Sequence, residues 1–414
     1  MVPPFVEPFP KWFLVPGSPF VEPFPKWFSY LYNDKMTYLS ENSFFSRFKP
    51  SNDYKNNLSS FKKHARVKTG NNRLVPLTVY LDKQHSKTEF NEITKTIYSK
   101  LIQNKQSILS NFYNKSLRVQ PEYNHTTLNN YNPMPLTSLS NTKYSQFKNE
   151  VRNIHYLGIL KNTTSDIPNV RTYLSVLEDL FKHWIIDYKL ITPSAIHYFQ
   201  QDVIGSILSA FTFRASVMNP YLVYSILSRL SKSMNLKSLS LFTPTLGWSS
   251  YLVGASALSI PLVRYTGIDV LPNVCNKTAK YAEQITPQTK TSIYCNPSEN
   301  FNVTKTHRNQ YDIVFFSPPY YKLEQYEEVM DKYNTFEEWY QDYWIPTINV
   351  CSQVLRKHGR LAFILSLYSE YDDNLSKMTK LPLPFRKIKK YPIHNSKTMK
   401  QTTNTEFLYI YEKI

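Results

Sequence analysis

The tightest constraint in this sequence lies at Tyr311-Asp-Ile-Val-Phe-Phe-Ser-Pro-Pro-Tyr320. Tyr311 to Phe316 reads as a strand buried on both faces, because its apolar residues run on without strict alternation. The run halts at Pro318 and Pro319, which have no backbone N–H and cannot continue a ladder. Their carbonyls, with Ser317, can then face a pocket. An –NH2 group needs two acceptors, and Ser317 Oγ with the Pro318 carbonyl can supply them. Tyr320 offers a flat face on which a base taken out of its helix can stack.

From Leu236 onward, short apolar runs alternate with helical stretches. Strands are predicted at Ser238–Phe242, Leu262–Ile268, Thr291–Tyr294, Tyr311–Phe316, Arg360–Ser366 and Glu406–Glu412, and helices at Ser250–Ser259, Val274–Gln284 and Trp339–Leu355. This alternation implies an α/β fold with a mainly parallel sheet covered on both faces. Ligands of such sheets sit at the carboxyl ends of the strands. Two loops there stand out. In Phe242-Thr-Pro-Thr-Leu-Gly-Trp-Ser-Ser-Tyr-Leu-Val-Gly-Ala255 a strand gives way to a helix through Gly247, where the backbone can approach a ligand; a plain connection would read the same. Tyr265-Thr-Gly-Ile-Asp269 ends a strand in an acid about twenty residues further on, where a carboxylate can accept from both hydroxyls of a ribose or cap the next helix.

The order Gly turn, Gly-Ile-Asp, Ser-Pro-Pro-Tyr resembles the amino-group (N4-cytosine or N6-adenine) DNA methyltransferases that use S-adenosylmethionine, of the phage and large-virus type. Leu323-Glu-Gln-Tyr326, Thr335-Phe-Glu-Glu-Trp339 and Leu355-Arg-Lys-His-Gly-Arg360 are similar to stretches that follow the motif in that group. Arg214-Ala-Ser216 with Asn219-Pro220 is similar to the segment placed before the glycine turn, and Asn296-Pro-Ser-Glu299 to the loop after the third strand. The resemblance runs from about residue 205 to the C-terminus and leaves out the N-terminal third. It implies a Rossmann-like class I methyltransferase domain with a mainly parallel seven-stranded sheet, and S-adenosylmethionine as cofactor. Gly247 would lie against the methionine part of that cofactor, Asp269 would hold its ribose and Asn296 would sit near its adenine, with Asn219, Pro220 and Thr243 in the same site. Ser317, Pro318, Pro319 and Tyr320 would form the catalytic segment, the first two accepting from the target amino group and Tyr320 stacking on the base. Transfer to nitrogen would be direct and in line, resting on alignment and electrostatics. A Ser-first motif is commoner among cytosine-N4 enzymes, so N4-cytosine is preferred over N6-adenine. Two positions depart from the family: an acid usually stands where Thr243 is, and a second glycine where Ser249 is.

The rest of the chain is read from composition and pattern. Residues 1–34 contain a duplication, Pro4-Phe-Val-Glu-Pro-Phe-Pro-Lys-Trp-Phe13 returning as Pro19 to Phe28. Its prolines favour extended backbone, suited to an arm that docks on a protein partner or to a tail without fixed structure. Residues 35–140 are basic and aromatic, partly ordered (strand-like Leu74–Leu81, helical Glu92–Ser110), and end in a polar linker from Gln120. Residues 141–235 are predicted helical, with an amphipathic helix from Tyr173 to Tyr188 and another from Pro193 towards Phe211; His155, His183 and His197 in this region receive no chemistry. Residues 236–414 are the methyltransferase-like domain.

A net charge of +18 over 414 residues suits a polyanionic partner or a merely soluble basic protein alike; the resemblance implies that the partner is nucleic acid, DNA ahead of RNA. Three cysteines give neither a disulfide framework nor a metal pair, so no metal is expected and a reducing compartment is. No stretch approaches ~20 apolar residues and no cationic start precedes an apolar run, so the expectation is an intracellular chain, cytoplasmic or nuclear, without a membrane partner. The competing functional reading is a methyltransferase-like subunit without activity, serving nucleic-acid binding or assembly.

Overall fold

The computed structural model describes residues 38–51, 53–83, 86–321, 324–326, 332–366, 372–395 and 406–414. The duplicated arm expected at 1–34 lies outside them. One sheet contains β1 (Leu139–Ser140), β2 (Leu239–Thr243), β3 (Leu262–Asp269), β4 (Lys290–Cys295), β5 (Tyr311–Phe316), β6 (Leu355–Ser366), β7 (Phe385–His394) and β8 (Glu406–Lys413). Their order is β4-β3-β2-β5-β6-β8-β7-β1. β2 to β6 pair in parallel, and β8 is inserted antiparallel between β6 and β7. The fold is therefore the expected α/β arrangement with a mainly parallel sheet, the last long strand being placed antiparallel between its two predecessors. The two-residue β1 extends the seven expected strands to eight.

Both faces of this sheet are covered, which is why its strands read as continuous apolar runs. Along β5, Ile313 and Phe315 join one core while Val314 and Phe316 join the other; β6 divides Ala362 and Ile364 from Leu361, Phe363 and Leu365 in the same way. One face meets α1 (Lys148–Ile154), α2 (Tyr173–His183), α3 (Pro220–Ser233), α4 (Ser250–Ser256) and α5 (Pro272–Ile285); the other meets the helical chain from Phe336 that ends in α6 (Ile345–Val354).

Residues 38–235 do not form a body separate from the sheet. Phe44, Phe61, Leu109, Leu174 and Leu177 are buried in the same apolar cluster as Leu241, Phe315 and Ile364, and residues 36–414 form one compact unit. The boundaries expected at 140 and 235 thus divide sequence textures, not cores. The stretch expected as a linker is packed chain: Leu128 and Met134 are buried, and Leu139 pairs with Ile393 at the sheet edge. Two element predictions also change. Leu74–Leu81 is a strand only to Pro76, whose missing N–H ends the ladder, and continues as the helix Leu77–Asp82. The helix from Tyr173 stops at His183, because Trp184 takes the left-handed conformation (φ 53°) and Ile185–Asp187 pairs with Arg66–Lys68. No helix among the described residues is long and apolar enough to cross a membrane.

Candidate active site

The carboxyl ends of β2, β3, β4, β5 and β6 open onto one cavity of about 810 Å³, a size in the usual range for small-molecule sites. Gly247, Asp269, Asn296 and the whole of Ser317-Pro318-Pro319-Tyr320 line it. The sheet order divides it in two. Over β2–β4 lie Gly247, Asp269 and Asn296; over β5, β6 and β8 lie Ser317, Tyr320, Ser366 and Glu406.

Every polar atom of Ser317 has an assigned partner. Its N–H donates to Tyr251 Oη (2.7 Å), its carbonyl accepts from Thr245 Oγ1 (3.2 Å), and its hydroxyl donates to the Ile364 carbonyl (3.3 Å). With the proton directed at Ile364, the Ser317 oxygen presents lone pairs, which is the acceptor character the sequence suggested. Tyr320 is fixed through its hydroxyl, which accepts from the Ser366 N–H (2.8 Å) and donates to Ser366 Oγ (3.3 Å). Ser366 Oγ in turn reaches Glu406 Oε1 (3.4 Å), whose other oxygen accepts from Asn395 Nδ2 (2.9 Å). Burial pushes the Glu406 carboxyl above the usual range, against the opposing effect of Asn395 and Lys148.

In the other half, Asp269 accepts from the Leu246 N–H (3.2 Å) with one oxygen and the Leu271 N–H (3.1 Å) with the other, and its carbonyl takes the Asn296 N–H (2.9 Å). Both loops after β2 and β4 are thereby tied to the end of β3. Gly247 has φ +53°, and a Cβ there would stand 2.5 Å from the Tyr251 ring. The glycine is needed so that Tyr251 can pass and reach Ser317. Trp248 and Ser249 are left-handed as well (φ 57° and 68°). Ser249, where the family prefers glycine, holds that backbone with its side chain: Oγ bonds Thr278 Oγ1 (2.7 Å) and His155 Nε2 (2.8 Å). Burial, with Lys277 nearby, lowers the His155 pKa to about 3, so the imidazole is neutral.

Three expected cofactor residues are corrected. Thr243 is fully buried and turned into the core, with Oγ1 at 3.2 Å from Tyr265 Oη. Asn219 is buried too and works as a cap: Oδ1 accepts the Tyr221 N–H (3.0 Å) while Nδ2 donates to the carbonyls of Asn141 (3.2 Å) and Lys143 (2.8 Å). Pro220 is the first residue of α3, a position where its missing N–H costs nothing. None of the three lines the cavity; Asn141, which Asn219 holds, does.

Several lining residues were not singled out from the sequence. Glu324, raised in pKa by burial, accepts from the Ser216 N–H (2.7 Å) and from Tyr326 Oη (2.5 Å). The short strand Glu324–Gln325 pairs antiparallel with Thr164–Ser165, and Gln325 Nε2 donates to Asp166 Oδ1 (2.7 Å). Chain from the helical region thus closes one side of the cavity. Asp166, Asp269, Glu299, Glu324 and Glu406 face the cavity against Lys332 alone among the described residues, so its lining is acidic although the chain is basic. Asp269, Glu299 and Glu324 lay in stretches recognisable in the sequence, Glu324 without a role; Glu406 becomes a neighbour of the site through a pairing remote in sequence. Among the described residues, no group of three or more His, Cys, Asp or Glu side chains is placed to hold a metal.

No family model and no curated protein matches the sequence. Solved structures similar to the chain include an rRNA methylase from Streptococcus thermophilus (17% identity over 48% of this chain and 99% of that one, TM-score 0.32). TrmN from Thermus thermophilus is similar at 12% identity, over 48% of this chain and 49% of that one, with TM-score 0.34. A magnesium protoporphyrin IX methyltransferase from Synechocystis PCC 6803, solved with bound SAM, is similar at 13% identity over 47% and 79%, with TM-score 0.32.

Proposed function

We propose that the chain transfers a methyl group from S-adenosylmethionine to an exocyclic amino group of a base in nucleic acid, DNA in preference to RNA and N4-cytosine in preference to N6-adenine. The observation that carries this reading is the shared cavity. Ser317 and Tyr320 open onto the same space as Gly247 and Asp269.

The residues present suit the cofactor. Gly247 lines the cavity at a turn that keeps Tyr251 in place, Asp269 presents carboxylate oxygens at a strand end, and the acidic lining favours a ligand that carries a sulfonium and an ammonium. Since Thr243 faces the core, Glu324 or Asp166 takes the place of the missing acid. When bound, the cofactor supplies an electrophilic methyl group. The chain's own part is positioning. Ser317 Oγ and the Pro318 carbonyl accept the two amino hydrogens, which draws the nitrogen lone pair out of conjugation and aims it along the cavity. Tyr320, anchored by Ser366, stacks on the base. The surplus proton leaves the methylated nitrogen for solvent, so neither a covalent cysteine adduct nor a strong general base is required.

The second reading, a subunit without activity, is favoured by Thr243, the duplicated aromatic arm and the basic N-terminal third; the open cavity speaks against it. The Ser317→Ala/Pro318→Ala double variant should lose at least about a hundredfold in transfer rate, because it removes the Ser317 acceptor and loosens the backbone that aims the carbonyl at 318. Its melting temperature and cofactor affinity should stay near wild type. Transfer would be measured by mass spectrometry of nucleosides after incubation with DNA or RNA. Wild-type protein that neither binds S-adenosylmethionine in calorimetry nor methylates either polymer would overturn the proposal.

A further inference from the structure

An acidic cavity cannot hold a polyphosphate chain, so a nucleic acid that places one base inside needs a cationic surface outside. The strongest candidate is β7, Phe-Arg-Lys-Ile-Lys-Lys-Tyr-Pro-Ile-His. Arg386, Lys387, Ile388, Lys389 and Lys390 are all exposed, a consequence of the strand's place at the sheet margin. Arg386 pairs with Glu412 (2.9 Å); Lys387, Lys389 and Lys390 have no carboxylate partner among the described residues. Their ammonium groups rest on rings instead. Lys390 Nζ lies 3.7 Å from the Phe407 centroid, Lys387 Nζ 5.4 Å from that of Tyr409, and Lys389 Nζ 5.3 Å from that of Tyr391. Such contacts hold the cations in place without neutralising them.

The direction of the strand matters as much as its charge. β7 pairs with β8 along its inner edge, while β1 covers the outer edge only opposite Ile393 and His394. The strand ends at His394, and the next residue, Asn395, bonds Glu406 and lines the substrate half of the cavity. Asn395 lies five residue steps beyond Lys390, roughly 17 Å at ~3.3 Å per residue, or about five steps of a stacked strand. A row of cations therefore leads along one edge to the mouth of the site.

We infer that the Arg386–Lys390 stretch of β7 binds the phosphodiester backbone of the nucleic-acid strand whose base enters the cavity. The base-entry part rests on the proposed function; the phosphate-binding part is measurable without it. Lysines on a sheet edge also serve to block pairing with other sheets. Glutamate serves that purpose equally, so charge reversal separates the two roles.

The test measures fluorescence anisotropy of the full chain with labelled single-stranded DNA, duplex DNA and RNA of one sequence, between about 50 and 200 mM salt. Lys387→Glu/Lys389→Glu/Lys390→Glu should weaken binding at least tenfold. The Lys→Gln triple variant, which guards against misfolding of the first, should lower the slope of log affinity against log salt by about two to three. Whichever probe loses most identifies the polymer. Methyl transfer is measured on the same preparations, so that the two readouts stay separate. Salt-dependent binding that depends on these lysines in a protein without transfer would defeat the proposed function and leave this inference standing. Unchanged affinity and slope in both triple variants for all three probes, or no binding by wild type, would overturn it.

Discussion

Ser317 shows how far one side chain can be committed before any ligand arrives. Its amide, carbonyl and hydroxyl proton are all engaged, by Tyr251, Thr245 and Ile364. Tyr251 is the bridge to the other half of the site, and Gly247 makes room for it. Gly247→Ala should therefore act on both halves: the left-handed backbone costs about 1–2 kcal/mol for a residue with a Cβ, and the displaced ring would no longer hold the Ser317 amide. A drop of at least tenfold in cofactor affinity by calorimetry, together with a lower transfer rate, is the expected result. Wild-type behaviour would show that the turn is not a binding element. At this scale the sequence was legible where backbone chemistry alone dictates geometry, as at Gly247, Asp269 and the two prolines. It was not legible at Thr243 or Asn219. Both sit in the right segment, but which side of a strand or helix start faces the ligand depends on packing with Tyr265 and Asn141.

Among elements, α1 and its end carry an unexpected duty. His155, just beyond α1, supports Ser249 in a conformation that glycine usually fills, and no sequence pattern distinguishes it from an ordinary core histidine. Its pKa is depressed to about 3, below the ordinary value near 6.5, so it stabilises the fold only while neutral. That contribution is complete above about pH 6.5 and is lost as acid approaches the folded-state value. His155→Gln should flatten the fall in urea-unfolding stability between about pH 6.5 and 4, by up to one proton's worth of slope. Identical pH profiles for variant and wild type would remove this role. The long strands were readable because burial on both faces leaves unbroken apolar runs. β7 was not: exposed throughout Arg386–Lys390, it carries four cations in five residues and lacks an apolar run.

For the whole molecule, the α/β arrangement followed from the alternation after Leu236, yet the division into regions did not survive. Composition changes at 140 and 235, whereas the core that α2, α3 and the N-terminal helices share with the sheet does not. A fragment of residues 236–414 would expose the face of Leu241, Phe315 and Ile364 that α3 and its neighbours cover. It should be insoluble or bind hydrophobic dyes without a cooperative melt, whereas residues 38–414 should unfold in one transition. A cooperative melt for the short fragment by circular dichroism would show that the N-terminal half is dispensable for folding.

The acid-lined interior of a cationic protein also sorts molecules by where they keep their negative charge. A free nucleotide must drag its phosphates inward with its base and meets repulsion from Glu324, Glu406 and their neighbours. A base within a polymer, swung inward on a backbone that stays outside, does not, so that on the proposed function transfer to free mononucleotides is disfavoured.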